Sequence, residues 1–332
     1  MKKVKNKILV RGFVLLCFLV VAVLTILLWK QTFATKKAPH KLIFISKTID
    51  SRNDFWTALI DGAELAAQEL DVEIEVLGGS SEEDVDGQIQ KIKESIAKHP
   101  DAVLVAPCDY AKTSDVLQQV VEEDIPLILL DSVIDRDIAV SVVSTDNRLA
   151  GKELGEFTRG LLRTVSKIGV IAHVKGTSTA MEREEGIKEG LGEDAEKIES
   201  VVYCDSSYEK AYALTVEMLQ NDPDIDVLVG TNEYATVGAA RAIKDLGMEG
   251  KVKMTGFDNS VEEIQLVEEG VIQGIIIQKP FNIGYLGVEQ AVKAISGKKL
   301  EKKVDSGCKL ITRENMYEEE NQRLLYPFSG QQ

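Results

Sequence analysis

VLVGTNEYATVGAARAIKDLGMEGKVKMTGFDNS, residues 227–260, reads as strand, polar tip, helix, strand and second polar tip. The apolar run 227–230 ends in Thr231, Asn232 and Glu233. A helix follows with Val237, Ala240 and Ile243 on one stripe and Gly247 as its stop, and a second run, 252–256, ends in Phe257, Asp258 and Asn259. Parallel strands joined by a right-handed helical crossover send both carboxyl ends to one edge of the sheet, where open α/β sheets bind ligands. Asn232 and Asp258 are therefore expected on one lip of a cleft.

The same alternation runs outward in both directions. From Lys41 onward short β-type runs alternate with amphipathic helices, which predicts parallel sheets covered by helices on both faces. Strands are expected at 42–46, 73–77, 102–106, 127–130 and 140–145, then at 168–172, 200–203 and 272–277 around the opening unit. Asp131 closes the run 127–130 and meets the strand-end criterion as Asn232 and Asp258 do. A crossing between two domains is expected near Asp146. After Gln278 a helix over 283–296 and a strand over 309–312 are too few for a third domain, so this segment is read as completing the first. The Glu-rich tail from Asn315 reads as a frayed end.

The chain of 332 residues has a formal net charge of -15, although its first 37 residues carry eight Lys/Arg and no acid. An acidic surface repels nucleic acid, which argues against direct DNA binding. Residues 13–29 are almost unbroken in hydrophobicity, with Lys2, Lys3, Lys5, Lys7 and Arg11 before them. That pattern predicts an N-terminal transmembrane helix with its basic tip in the cytoplasm and the body of the protein outside. The alternatives are a cleaved signal, leaving a secreted or periplasmic protein, and a lipoprotein signal, for which Cys17 lies too deep in the segment.

Cys108, Cys204 and Cys308 are an odd three and read as free thiols, and His40, His99 and His173 have no companions at metal-ligand spacing. No metal or cofactor is expected. Gly190-Leu191-Gly192-Glu193-Asp194-Ala195 has dinucleotide-loop spacing, but it ends a helix and its acids would repel a pyrophosphate. No nucleophile elbow, phosphate loop or zinc-helix motif occurs, so the chain reads as no enzyme.

In their order and spacing, LIFIS, DFW, VLVAP, LILLD, VSTDN, GTSTAMEREEG, TNEYATVGAARA with TGFDNS, and IIIQKPFNIGYLGVE resemble the type I periplasmic binding proteins. The likeness is to the ribose- and galactose-type sugar binders, whose fold is shared by lactose-repressor effector domains. It implies two doubly wound parallel-sheet lobes joined by a three-strand hinge that close over a monosaccharide or related polyol. The implied lobes are 41–145 with 279–307 and 146–278 with 308–318, flanked by the basic tip, anchor and tether (1–40) and the tail (319–332).

The resemblance also implies a ligand-binding set of Asn53, Phe55, Trp56 and Asp131 from the first lobe, with Arg183, Tyr208, Asn232, Asp258 and Gln278 from the second lobe and hinge. Paired carboxylate, amide and guanidinium groups suit vicinal hydroxyls, and aromatic faces cover the C–H face of a sugar ring. Each position also has a purely structural reading. Asp131 can start a turn, Asn232 can cap a helix, Phe55 and Trp56 can staple a helix start, and Arg183 can join a solvated ion-pair face with Glu182, Glu184 and Glu185.

This sequence departs from the family pattern where Ser132 and Met181 replace expected arginines and where the loop 47–54 is longer. Those departures predict a pocket short of cations and make ribose itself a poor fit. The implied partner is an ABC transporter permease or a membrane sensor histidine kinase. The rival reading, a transcription regulator of the lactose-repressor type, requires a helix-turn-helix where the first 40 residues offer a hydrophobic segment instead.

Overall fold

The computed structural model describes residues 19–23, 25 and 38–326. Two compact units are distinguished, 1–39 and His40–Gln332. Of the first, the described residues 19–23 and 25 are helical. The anchor expected over 13–29 lies largely outside the described residues, and among those that are described no helix is long and apolar enough to cross a membrane. The transmembrane part of the expected architecture is thus without support.

The second unit contains two six-stranded sheets. The first sheet is built from β1 (Lys41–Thr48), β2 (Glu73–Gly79), β3 (Ala102–Val105), β4 (Leu127–Leu130), β5 (Ser141–Ser144) and β11 (Lys303–Asp305), in the order β11-β5-β4-β3-β1-β2. The second contains β6 (Lys167–Ala172), β7 (Ile198–Tyr203), β8 (Ile225–Gly230), β9 (Lys253–Phe257), β10 (Ile272–Ile277) and β12 (Lys309–Thr312), in the order β12-β10-β9-β8-β6-β7. All pairings are parallel except that of β12 with β10. The chain passes from one sheet to the other after β5, after β10 and after β11, and each sheet with its helices is one lobe.

The strands read as continuous apolar runs because both faces of each sheet are covered. In β1, Leu42 and Phe44 join one buried cluster while Ile43 and Ile45 join another on the opposite face. The first cluster is completed by α1 (Asp54–Glu69) and α9 (Pro280–Ile295), the second by α2 (Val85–Ala97) and α3 (Ser114–Glu122). In the other lobe α4 (Asn147–Arg159) and α5 (Ser178–Leu191) cover one face, and α6 (Tyr208–Asn221), α7 (Glu233–Asp245) and α8 (Val261–Glu269) cover the other.

Two elements differ from the sequence expectation. The short β11 was not expected; it adds an edge to the first sheet by pairing Val304 with Val143. The tail is not frayed throughout: Glu319–Leu325 form a last helix, α10, and Met316 and Leu325 are buried in the second lobe's core. Sparse apolar residues among many acids hid this helix, whose place is fixed by the groove it fills.

Helices α4 and α5 approach so closely that glycine is required on both. A Cβ on Gly151 or Gly155 would overlap the carbonyl oxygens of Arg183 and Ile187, and one on Gly186 or Gly190 would overlap those of Arg148 and Lys152. This spacing sets the depth of α5, which carries Arg183. In an ordinary helix interior, Gly→Ala gains about 1 kcal/mol. Here Gly186→Ala is expected to cost about 1–3 kcal/mol through overpacking, and a urea midpoint equal to or above the wild type would refute the close-approach argument.

Candidate ligand-binding site

The cleft between the lobes is lined where strands end. Asp131 follows β4 and Asp258 follows β9, and each donates its backbone N–H to the neighbouring strand, at Val143 O and Ile276 O, both 2.9 Å. Each then turns with left-handed backbone, φ 62° and 81°. Aspartate tolerates this region better than most residues, and the turn takes each carboxylate out of the strand line into the cleft. The two lobes therefore present matching acids from matching places.

Asp131 is 5% exposed and ion-paired at 2.7 Å with Lys47, itself 2% exposed. Ser132 Oγ donates to the same carboxylate at 2.6 Å. Lys47 reaches it because the pairing of β1 with β2 slips between Ser46 and Thr48, leaving Lys47 as the extra residue of a bulge. The cation missing at position 132 is thus supplied by Lys47 of β1, which offsets one of the two expected losses of positive charge from the pocket. Lys47 Nζ also lies 5.6 Å over the Trp56 ring.

On the facing wall, Asp258 accepts from the backbone N–H of Glu233 at 2.8 Å and from Gln278 Nε2 at 2.6 Å. Gln278 Oε1 accepts from Thr145 Oγ1 at 2.8 Å, which ties two of the three crossings together. Arg183 is buried rather than part of a solvated ion-pair face. Its guanidinium covers the Phe257 ring at 4.3 Å and donates to Asn147 Oδ1 at 2.8 Å and Thr231 O at 2.7 Å. The acids beside it in sequence turn to other partners, Glu184 to the Tyr203 hydroxyl at 2.9 Å and Glu185 to Arg148 at 2.9 Å.

Asn53 and Asn232 each serve in two ways. Asn53 Oδ1 caps α1 by accepting from Trp56 N at 3.0 Å, and Asn232 Oδ1 caps α7 by accepting from Ala235 N at 3.0 Å. With Oδ1 engaged in the cap, the amide of each is aimed across or along the cleft. Phe55 and Trp56 meet edge to face at 5.1 Å and form an aromatic wall.

All the expected residues except Tyr208 line this cleft, together with Lys47, Glu82, His173 and Thr179. Tyr208 lies behind the wall: its hydroxyl donates to Glu233, and its ring packs at 4.6 Å on Tyr234. The cavity enclosed by these side chains is about 20 Å³, room for about one water molecule, so in this structure the walls are closed upon each other. His173, Lys47 and Glu82 were missed although they follow or end strands β6, β1 and β2, so the strand-end criterion, applied to every strand, would have flagged them. His173 is fully enclosed between Thr231 Oγ1 (2.7 Å) and Thr179 Oγ1 (2.8 Å). Burial, with Arg183 and Lys47 nearby, holds its pKa well below the usual value, so it is neutral.

The thiols of Cys108, Cys204 and Cys308 are free, and burial pushes all three up to about 12. Among the described residues no group of His, Cys, Asp and Glu could hold a metal ion.

Likenesses to known proteins agree with this geometry. The periplasmic binding protein domain family matches residues 44–299, and the chain belongs to it. A ribose import binding protein of Haemophilus influenzae is 28% identical over 289 residues, covering 86% of this chain and 96% of that protein. The crystal structure of a sugar transporter from Clostridium phytofermentans is 47% identical with a TM-score of 0.79, covering 82% of this chain and 99% of that one. An Agrobacterium vitis ABC transporter solute-binding protein with bound D-fucose is 26% identical with a TM-score of 0.82, covering 86% and 100%. The two lobes and three crossings place the chain among the type I sugar-binding members, which bind and do not catalyse.

Membership corrects the expected location. The front segment predicts a single-pass membrane protein, whereas the relatives are periplasmic binding proteins and no membrane-spanning helix is found among the described residues. The findings favour the periplasmic alternative over the single-pass one. Apolar segment length overlaps between anchors and export signals, so length alone does not separate them.

Two outcomes follow from the electrostatics. Removing one partner of a buried ion pair leaves an uncompensated charge, at a cost of about 3–5 kcal/mol. Lys47→Met should destabilise by that order, and adding Asp131→Asn should recover most of it; strictly additive losses in a denaturant double-mutant cycle would show that the pair is not coupled. The second concerns pH. Burial pushes the Glu233 carboxyl up to about 8, helped by Asp258 and Asp54 and opposed by the Tyr208 bond. Burial also raises Glu82, Asp258 and Glu263. A raised carboxyl contributes stability fully below its unfolded value near 4.5 and loses it as pH rises through the folded value. The melting temperature should therefore fall between pH 5 and pH 8.5, with a shallower fall in Glu233→Gln; identical slopes in thermal scans would contradict the assignment.

Proposed function

We propose that the protein is the extracytoplasmic solute-binding component of an ABC importer and closes its lobes over a neutral monosaccharide or related polyol. The observation that carries this is the pair of strand-end aspartates on opposite walls, each held by its own donors, with Arg183 and the Phe55–Trp56 wall between them. Fixed carboxylates with further lone pairs accept ligand hydroxyls, and the aromatic wall excludes charged or strongly hydrated ligand faces. The proposed ligand set is Lys47, Asn53, Phe55, Trp56, Asp131, Arg183, Asn232, Asp258 and Gln278. Tyr208 leaves the set and becomes a support for Glu233.

Delivery to a permease is preferred to presentation to a sensor kinase because the relative from Haemophilus influenzae is an import protein. Lys47 in place of the usual arginine supports an aldose other than ribose, such as the D-fucose held by the Agrobacterium vitis relative. A point-like ammonium grips an anion or hydroxyl without the two-pronged geometry of a guanidinium.

Thermal-shift and calorimetric titration of the full chain against aldoses, ketoses and polyols tests this reading. At a hundred times Kd, the true ligand should stabilise the fold by about 2.7 kcal/mol, and Arg183→Met should weaken its binding at least tenfold. Stabilisation by amino acids or nucleotides with none by any sugar or polyol would sink the proposal.

A further inference from the structure

Two buried carboxylates sit at the rim of the cleft, and each accepts a hydrogen bond from the opposite lobe. Glu82, in the loop after β2 of the first lobe, takes Ser206 Oγ of the second lobe on Oε2 at 2.8 Å. Its other oxygen takes Trp56 Nε1 at 2.5 Å. Glu233, at the start of α7 in the second lobe, takes Asn53 Nδ2 of the first lobe on Oε2 at 2.9 Å, while its other oxygen takes the Tyr208 hydroxyl.

The arrangement is reciprocal. Each lobe contributes one acid and one donor, and each acid is anchored in its own lobe by a tyrosine or tryptophan. Asn232 Nδ2 donates to Ser206 Oγ at 3.1 Å, so the Glu82 chain runs unbroken from the second lobe's wall to the aromatic wall of the first. Three backbone donors also cross between the lobes, Tyr110 N to Gly176 O at 2.8 Å, Val133 N to Ser178 Oγ at 2.9 Å and Val261 N to Asp54 Oδ2 at 3.4 Å, but none of them meets a buried carboxyl.

We propose that Glu82 and Glu233 are positioning residues that form two cross-lobe clasps, and that these clasps set how long the cleft stays closed and hence how slowly ligand leaves. The inference rests on the binding function proposed above for the same cleft. Ligand contacts decide which molecule is held; the clasps decide its residence time. Opening the lobes breaks both bonds and returns both acids to water, whereas a ligand arriving at the open form meets neither clasp. Loss of a clasp should therefore appear in the dissociation rate and leave the association rate nearly unchanged.

Ser206 is the residue to change, since it belongs to a clasp and is absent from the cleft lining. Its backbone is left-handed, φ 51°, so Ser206→Ala and Ser206→Gly are made together. Glycine relaxes that conformation and lacks the hydroxyl, which separates strain from the bond. Both variants should release the sugar found by the titration about tenfold faster in stopped-flow measurements, with association within twofold of wild type.

Interlobe distances are measured in parallel by pulsed electron paramagnetic resonance, with spin labels at the exposed positions Lys93 and Lys188 of the two lobes. Both variants should show a larger open fraction than wild type without added ligand. Unchanged distance distributions overturn the clasp whether or not any sugar binds. Wild-type dissociation rates in both variants overturn it too, and a wild-type protein that binds no sugar but opens on loss of Ser206 overturns only the ligand reading.

Discussion

A carboxylate removed from water has to be met by donors, and the cleft is organised around that requirement. Asp131, Asp258, Glu82 and Glu233 are all nearly inaccessible, and none could stay charged there unpartnered without a large cost. Asp131 is met by Lys47 and Ser132, and Asp258 by Gln278 and a backbone N–H. The two glutamates are met from across the gap. The inner acids therefore organise each wall separately, while the outer acids gain their second protein donor only when the walls come together. One physical rule produces both the recognition surface and the means of holding it shut.

The fold brings this about by repetition. Each lobe sends a central parallel strand to the cleft and ends it with a left-handed aspartate, and each starts a cleft-facing helix with an asparagine cap whose amide is free to reach outward. The hinge joins these halves without separating them chemically, since Gln278 links Asp258 of one lobe to Thr145 at another crossing. Movement of the lobes about these crossings would alter the wall geometry little and the rim bonds greatly. Rigid walls with a breakable rim suit a protein that must both hold and surrender its ligand.

Much of this is legible in the chain. Strands buried on both faces appear as unbroken apolar runs, so the parallel sheets and their helices can be read from period and punctuation. Strand-end chemistry points to Asn232, Asp258 and Asp131 from consecutive residues alone. It reaches Lys47, Glu82 and His173 only when strands without a conspicuous polar tip are included. The environment of Arg183 is hidden because its neighbours in sequence are acids, whereas its neighbours in space are Phe257, Asn147 and Thr231. The resemblance alone puts Tyr208 in the ligand set; its hydroxyl turns toward Glu233 instead.

The sequence by itself determined the class of fold, the family and the kind of site, because periodicity and strand-end chemistry are local properties written in consecutive residues. Only the tertiary structure decided which cation pairs with Asp131, which acids are buried, and which bonds span the lobes. Those depend on a one-residue bulge in β1 and on contacts between residues as far apart as Asn53 and Glu233, and no local pattern records a distance across a cleft.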